Sequence, residues 1–386
     1  MKRVLQIVGW MGQGGIQTWL LHLVRGLDKT RFQVDFVVYE GTPPGDHHAA
    51  LEALGCRMIA ALEFPSRGRA PFRLWSTLRA HGPYDVVHGH LHLANGWIVR
   101  VAALAGVPVR IAHSHFDGLT GAEPTRTRQA YQRLMRHWIR RYATLRVGVA
   151  EAAAADLFGE RWQDNPATRV LRCGIDLEPF TTPADRVQLR AALGLPEGAL
   201  VLGHAGRFEH QKNHIKLIEI LACAFALEPR ARALLLGQGP LQDACRDQAR
   251  ALGIAERIVF AGNRDDVPAL MTGAMDAVVF PSLFEGLPIA LLEAQAAGLP
   301  CIYADTITPE VEVVPALMTR LPLQAPPDVW AERVLAAIRA RPQAPDEARA
   351  QFLASPFNIT NSVEVFSRIY AGEPLGNGAV GGRSRR

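Results

Sequence analysis

Short apolar runs alternate with helix-patterned segments along almost the whole chain, and the alternation stops once and then restarts. The first series predicts strands at 4–8, 34–39, 56–60, 85–88, 109–113, 146–149 and 169–171, with helices at 16–27, 51–54, 72–81 and 95–105. The second predicts strands at 201–204, 233–236, 258–260, 277–280 and 301–304. Its helices fall at 215–226, 241–252, 267–271, from 287 or 288 to 297, 329–339 and 360–370. Most of the strand runs are apolar on both faces, the mark of a parallel sheet covered by helices on both sides. A length of 386 residues exceeds one ordinary core. The expected architecture is therefore α/β, with two doubly wound, Rossmann-like domains facing a central cleft. Ligands of such sheets bind outside the carboxyl ends of the strands. The expected divisions are a first domain at 1–172, a Pro- and Gly-punctuated linker and start of the next domain at 173–196, a second domain at 197–355 and a C-terminal helix at 356–371. A Gly-rich tail at 372–386 is expected to be disordered.

Composition narrows the class. At 48% hydrophobic and 20% charged the chain reads as soluble and globular, and it has no apolar run of about 18 residues that would span a membrane. Gly9 and Trp10 break the first strand too early for a signal peptide. Cys56, Cys173, Cys223, Cys245 and Cys301 are scattered, which suits free thiols in a reducing compartment better than disulfides or zinc. The expected location is the cytoplasm. The net charge of +5 is carried mostly by arginine, with lysine only at 2, 29, 212 and 216. An arginine and alanine bias explains this balance without nucleic acid.

Two stretches carry chemistry. Strand 201–204 runs into Gly206, Arg207 and, after four residues, Lys212 and Asn213. A planar Arg fork and a mobile Lys charge in one short strand-to-helix loop suit a diphosphate. The second stretch, 280–300, leaves strand 277–280 through a loop holding Ser282, Glu285 and Gly286 and enters a helix carrying Glu293. Pro288 fits a first helical position, and Gly298 with Pro300 gives the stop signal. The helix start offers free N–H groups to an anion. Taken singly, the basic loop is equally a helix-entry loop with solvated charges, and for 280–300 the favoured reading is one exposed loop Glu and one solvated helix Glu. Arg264, in the loop after strand 258–260, is placed either to stack on a base or to face solvent.

In combination the pattern becomes specific. Gly206-Arg207 with Lys212-Asn213, followed by Phe284-Glu285-Gly286, Glu293, Ala296, Gly298 and Pro300, resembles the retaining glycosyltransferases of the GT-B fold, in the large family numbered four. Glu285 and Glu293 reproduce that family's E-x7-E spacing. Gly14, Gly15 and Ile16 and the segment 110–115 resemble its first loop and its cleft histidine, and 305–310 resembles a subgroup that builds capsular and exopolysaccharide. The resemblance implies a C-terminal helix crossing back to the first domain and a nucleotide-diphosphate sugar donor. It implies that Arg207 and Lys212 bind the diphosphate and stabilise the leaving group without a metal or other cofactor, and that Glu293 accepts from the ribose. Glu285 then faces the sugar hydroxyls, because like charges repel. Gly286, Leu287 and Arg264 complete the donor side. Gly14 and Gly15 let the first domain approach the donor phosphate, and His115 contacts sugar or acceptor. With no evident protein nucleophile, the implied mechanism is front-face displacement. One departure stands out: Cys173 occupies the place of the family's asparagine before Gly174-Ile175-Asp176.

His88, His90, His92 and His113 surround His115 in the pattern, and they read as core or surface residues. The run 126–146 has seven arginines and no acidic residue, with Tyr131, Leu134, Trp138, Ile139 and Tyr142 interleaved. It is either a basic face for an anionic membrane carrying a polyprenyl-linked or glycan acceptor, or an ordinary helix with its aromatics turned inward. Rival readings are a nucleotide-sugar epimerase or phosphorylase on the same plan, and a non-catalytic glycan- or nucleotide-binding scaffold. The scaffold should have lost Lys212 or Glu285 and has kept both. A dinucleotide oxidoreductase fits poorly, since 12–15 is not G-x-G-x-x-G. Donor sugar, base and acceptor are not legible in the sequence.

Overall fold

A computed structural model of the chain describes residues 1–12, 14–41, 44–62, 69–115, 125–182, 184–340 and 345–374. Two compact units result. Unit 1 comprises Met1–Gly174 with Ile359–Arg386, and unit 2 comprises Ile175–Asn358. Most of the tail expected at 372–386 lies outside the described residues.

Unit 1 is built on seven strands: β1 (Lys2–Ile7), β2 (Phe32–Tyr39), β3 (Arg57–Leu62), β4 (Val86–Gly89), β5 (Val109–Ser114), β6 (Leu145–Gly148) and β7 (Thr168–Val170). All pair in parallel, in the order β3-β2-β1-β4-β5-β6-β7. The chain order therefore reverses between β1 and β4, the kind of point where a crevice opens at the strand ends. The helix Ile359–Ala371 belongs to this unit and packs on the helix Gly15–Gly26. Its Phe366 and Tyr370 are buried there.

Unit 2 holds six parallel strands: β8 (Leu200–Ala205), β9 (Ala231–Leu236), β10 (Ile258–Gly262), β11 (Ala277–Phe280), β12 (Cys301–Ala304) and β13 (Met318–Leu321). Their order is β10-β9-β8-β11-β12-β13, so the reversal falls between β8 and β11. Two apolar clusters cover its faces, one around Val201, Val278, Phe280 and Leu291, the other around Leu202, Ile218, Val279 and Trp330. Both contain residues of β8 and β11, which is why those runs read as apolar on both faces.

The strand and helix series of the sequence is present, and so are the two doubly wound α/β units. β13 was missed because Met-Thr-Arg-Leu is no apolar run and its residues keep much of their surface. Three α-helices were also unread, one of them Pro345–Leu353. Arg186–Ala192 lies within the stretch expected as linker, and its Arg190 is buried against Ala274 O and Asp276. Glu151–Phe158 is alanine-rich and short. The helix after β11 starts at Ile289, with Pro288 as its N-cap (ψ 99°) rather than its first helical residue.

Candidate active site

The loops after β8 and β11 meet at the switch point of unit 2. Lys212 Nζ donates to Glu285 Oε1 at 2.6 Å, and the two side chains are 18% and 5% exposed. Gln211 Nε2 donates to Glu285 Oε2 at 3.0 Å and to the Phe284 carbonyl at 3.0 Å. Leu283 N donates to Gln211 O, which binds the two loops backbone to backbone. Asn213 adopts the left-handed region (φ 53°), which asparagine tolerates, and its Nδ2 donates to Pro281 O at 3.0 Å. Gly206 leaves room for the Lys212 stem: a Cβ there would stand 3.3 Å from its Cδ and Cε.

The other assigned residues are less gathered. Arg207 is half-exposed and pairs with Glu209 at 2.7 Å. Arg264 forms a bidentate pair with Asp266 of its own loop, at 2.8 and 2.6 Å, and this raises the guanidinium pKa. Gly286 is buried and Leu287 partly so. Glu293 lies on the helix Ile289–Ala296, whose first residues follow Pro288. Burial pushes its carboxyl up to about 7. Although part of the residue is accessible, no cation offsets the loss of solvation.

Sequence reading missed Gln211 and Gln295. Gln295 is fully buried, donates to Leu291 O and Val311 O, and accepts from Val313 N and Val314 N. It therefore fixes the segment after β12 to the Glu293 helix. The available signal was a glutamine inside an otherwise apolar run.

In unit 1, His115 follows β5 and ends a hydrogen-bonded chain. Gln6 Oε1 accepts from His90 Nε2 at 2.8 Å, so His90 Nδ1 is left to accept from His115 Nε2, also at 2.8 Å. The Nδ1 lone pair of His115 then faces Cys173 Sγ at 4.0 Å. On its other side Gln6 donates to the Tyr370 hydroxyl at 2.8 Å, which donates to His88 Nδ1 at 2.9 Å. His88 Nε2 donates to His113 Nδ1 at 3.0 Å. Burial holds all four imidazoles below their ordinary pKa, hence neutral. His88, His90 and His113 are core residues, as read, and His92 pairs with Asp156 at 2.7 Å. Two groups, His88, His90 and His113, and His113, His115 and Cys173, bring their ligand atoms within 4.8 Å and so have the proximity to hold a metal. Both ring nitrogens of His88 and of His90 are already hydrogen-bonded. Gly14 and Gly15 open the helix Gly15–Gly26, with Gly14 extended at its N-cap.

The arginine-rich run forms the helix Arg126–Tyr142. It buries Met135 and Ile139, and Tyr131 (45%) and Leu134 (43%) are exposed. Trp138 is partly covered, with Arg100 4.3 Å above its ring. Arg146 does not join this face: it lies in β6 and is buried.

Comparison with known proteins matches this site to a family. The model described as "Glycosyl transferases group 1" matches residues 185–352, and "Glycosyl transferase 4-like domain" matches 14–174. The chain is 35% identical to the "Putative glycosyltransferase EpsF" of Bacillus subtilis over 89% of each chain. It is 28% identical to the "UDP-Gal:alpha-D-GlcNAc-diphosphoundecaprenol alpha-1,3-galactosyltransferase" of Escherichia coli, over 75% of this chain and 76% of that one. Among solved structures, Anabaena HepE in complex with UDP and glucose superposes with a TM-score of 0.78 at 21% identity, covering 96% of this chain and all of the other. The chain therefore belongs to the group 1 glycosyltransferases and has their GT-B fold.

Proposed function

We propose that this glycosyltransferase is a retaining enzyme that moves a sugar from a nucleotide-diphosphate donor to a glycan or polyprenyl-linked acceptor in surface or exopolysaccharide biosynthesis. The observation that carries the donor reading is the Lys212–Glu285–Gln211 cluster at the β8/β11 switch point. The UDP bound in HepE and the diphosphoundecaprenol in the name of the Escherichia coli relative support the two substrate classes. In this reading the diphosphate draws Lys212 from Glu285 and Arg207 from Glu209. The two cations then meet the charge that develops on the leaving phosphate, so no metal is required. Glu285, released, turns to the sugar hydroxyls. Glu293 accepts from the ribose, Gly286 and Leu287 line the donor, and Arg264 borders the base. Gly14 and Gly15 are assigned to the donor phosphate, and His115 to the sugar or acceptor. The acceptor hydroxyl attacks the face from which the nucleotide leaves.

The test is release of nucleotide diphosphate from a panel of UDP-, GDP- and dTDP-sugars in the presence of a membrane extract. Turnover with one donor class and retention of the anomeric configuration in the product are expected. No release from any donor, or an inverted product, would sink the corresponding part of the reading.

The helix Arg126–Tyr142 presents Arg126, Arg128, Arg133, Arg140 and Arg141 beside Tyr131 and Leu134 at its surface. This combination suits peripheral attachment to an anionic leaflet at the inner face of the plasma membrane. No helix among the described residues is long and apolar enough to cross a membrane. Co-sedimentation with vesicles containing anionic lipid is expected to fall as salt is raised, and to fall several-fold in an Arg133→Glu/Arg140→Glu variant. Equal sedimentation with neutral vesicles would refute the electrostatic part.

A further inference from the structure

His204, at the end of β8, lies directly beneath the basic loop. It is fully buried, and its Nδ1 donates to the Val279 carbonyl at 2.8 Å. Its Nε2 is buried and has no hydrogen-bond partner among the described residues. This nitrogen points to the phosphate loop: a Cβ on Gly206 would stand 3.0 Å from it. The Lys212 methylenes line the same place. A buried imidazole nitrogen left unpaired costs stability, so its position beside the loop calls for a ligand-bound state in which it is paired or charged.

The surroundings explain why it is neutral without ligand. Phe280 packs on the ring at 4.7 Å between centroids, and His214 stands edge-on at 4.8 Å. His214 is itself buried, neutral and stacked on Phe208. The charged groups bordering the loop are Lys212, with Glu285 as its partner, and Arg207, paired with Glu209. Burial, and then the charge of Lys212, pull the His204 pKa down to about 4 against the opposing bond to Val279. A diphosphate reverses the electrostatic part, because it adds negative charge to the loop while the charge of Glu285 stays nearby.

We propose that His204 is a proton-linked positioning residue of the donor site: when a sugar-nucleotide diphosphate occupies the Gly206–Lys212 loop, Nε2 takes one proton from solvent and becomes a further cation beneath it. The inference rests on the donor-site reading. No covalent bond changes; a proton moves from water to Nε2 on binding and returns on release. The group acts through the loop, and it sets affinity rather than chemistry.

The experiment is calorimetric binding of UDP-glucose, UDP-galactose and GDP-mannose between pH 5 and 8, in buffers of different ionisation heat. The diphosphate diester of these probes does not itself titrate in this range. The contribution of His204 is expected to be proton uptake, which raises affinity as pH falls by at most about tenfold per unit for one proton. Glu293 also titrates here, but with the opposite sign, since its ionised form is the better ribose acceptor. The difference between wild type and a His204 variant isolates the histidine. His204→Phe should bind several-fold more weakly at pH 6 and lose the uptake. His204→Gln, which can supply a permanent N–H, should keep much of the affinity but show no uptake. If His204→Phe fails to fold, the titration of the His204 ring signal in wild-type protein, with and without the bound probe, decides the matter: its pKa must rise on binding. Binding with identical proton uptake in wild type and variants overturns the inference and leaves the donor site standing. No binding of any probe overturns both.

Discussion

Replacing Lys212 by alanine is expected to lower kcat/KM by about 10²–10³-fold, the scale of removing one charge-stabilising donor from a transition state. It should also destabilise the folded protein. Glu285 is 5% exposed and would be left without its cation, a loss of about 3 kcal/mol for a broken buried pair, or about 5–10 °C in Tm. The two losses separate in the double variant. Lys212→Ala/Glu285→Ala removes the stranded carboxylate and should recover most of the melting temperature with none of the activity. Gln211 gives the check on geometry, because its Nε2 would remain bonded to the Phe284 carbonyl. Activity in Lys212→Ala equal to wild type would rule out the catalytic role, and a double variant less stable than the single would rule out the stabilising one.

Glu293→Gln is expected to abolish a pH dependence. The Glu293 carboxyl titrates at about 7 in the folded protein, above its unfolded value, because burial penalises its charge. Between about pH 4.5 and 7 the unfolded chain has released this proton while the folded one keeps it, so stability falls as pH rises through that window and is level above it. The glutamine variant lacks the fall and should be the more stable protein at pH 8. Activity runs the other way. Wild-type kcat/KM should rise through pH 7 as the carboxylate forms. The variant should be flat and about tenfold lower at pH 8, the difference between charged and neutral hydrogen bonds to a ribose. Melting curves and initial rates from pH 5 to 9 read both effects. A wild-type profile without an inflection near 7 would refute the assignment.

The two sheets were legible because parallel strands covered on both faces carry apolar runs, as in Phe36–Val38, Val86–Val87, Leu200–Leu202 and Ala277–Phe280. β13 was not, since an edge strand with half-exposed Met318 and Arg320 carries no such pattern. The residue types of the donor loop could be read from Gly206, Arg207, Lys212, Glu285 and Glu293. Their pairing could not. Lys212 and Glu285 are 73 positions apart, and no local rule says that the two charges quench each other in the ligand-free protein. The sequence pattern suggested repulsion between Glu285 and the diphosphate. The contact with Lys212 adds that, in the proposed reading, donor binding exchanges one anion for another on a single ammonium group. The histidine chain was further from reach, because Tyr370 joins His88 across 282 positions. Cys173 was conspicuous in the sequence only as a departure, and its sulfur proves to face His115.

Unit 1 is assembled from both ends of the chain, whereas unit 2 is one continuous segment. On the ribosome this fixes an order of completion. Unit 2 can close as soon as residue 358 has emerged, but the first-made sheet must wait, with the hydroxyl-binding ends of Gln6 and His88 unfilled, until Tyr370 arrives. A nascent chain stalled or cut before that point would carry a finished unit 2 and an unfinished unit 1. The helix Ile359–Ala371 is thus the piece that unit 1 must wait for, while unit 2 needs nothing from beyond residue 358.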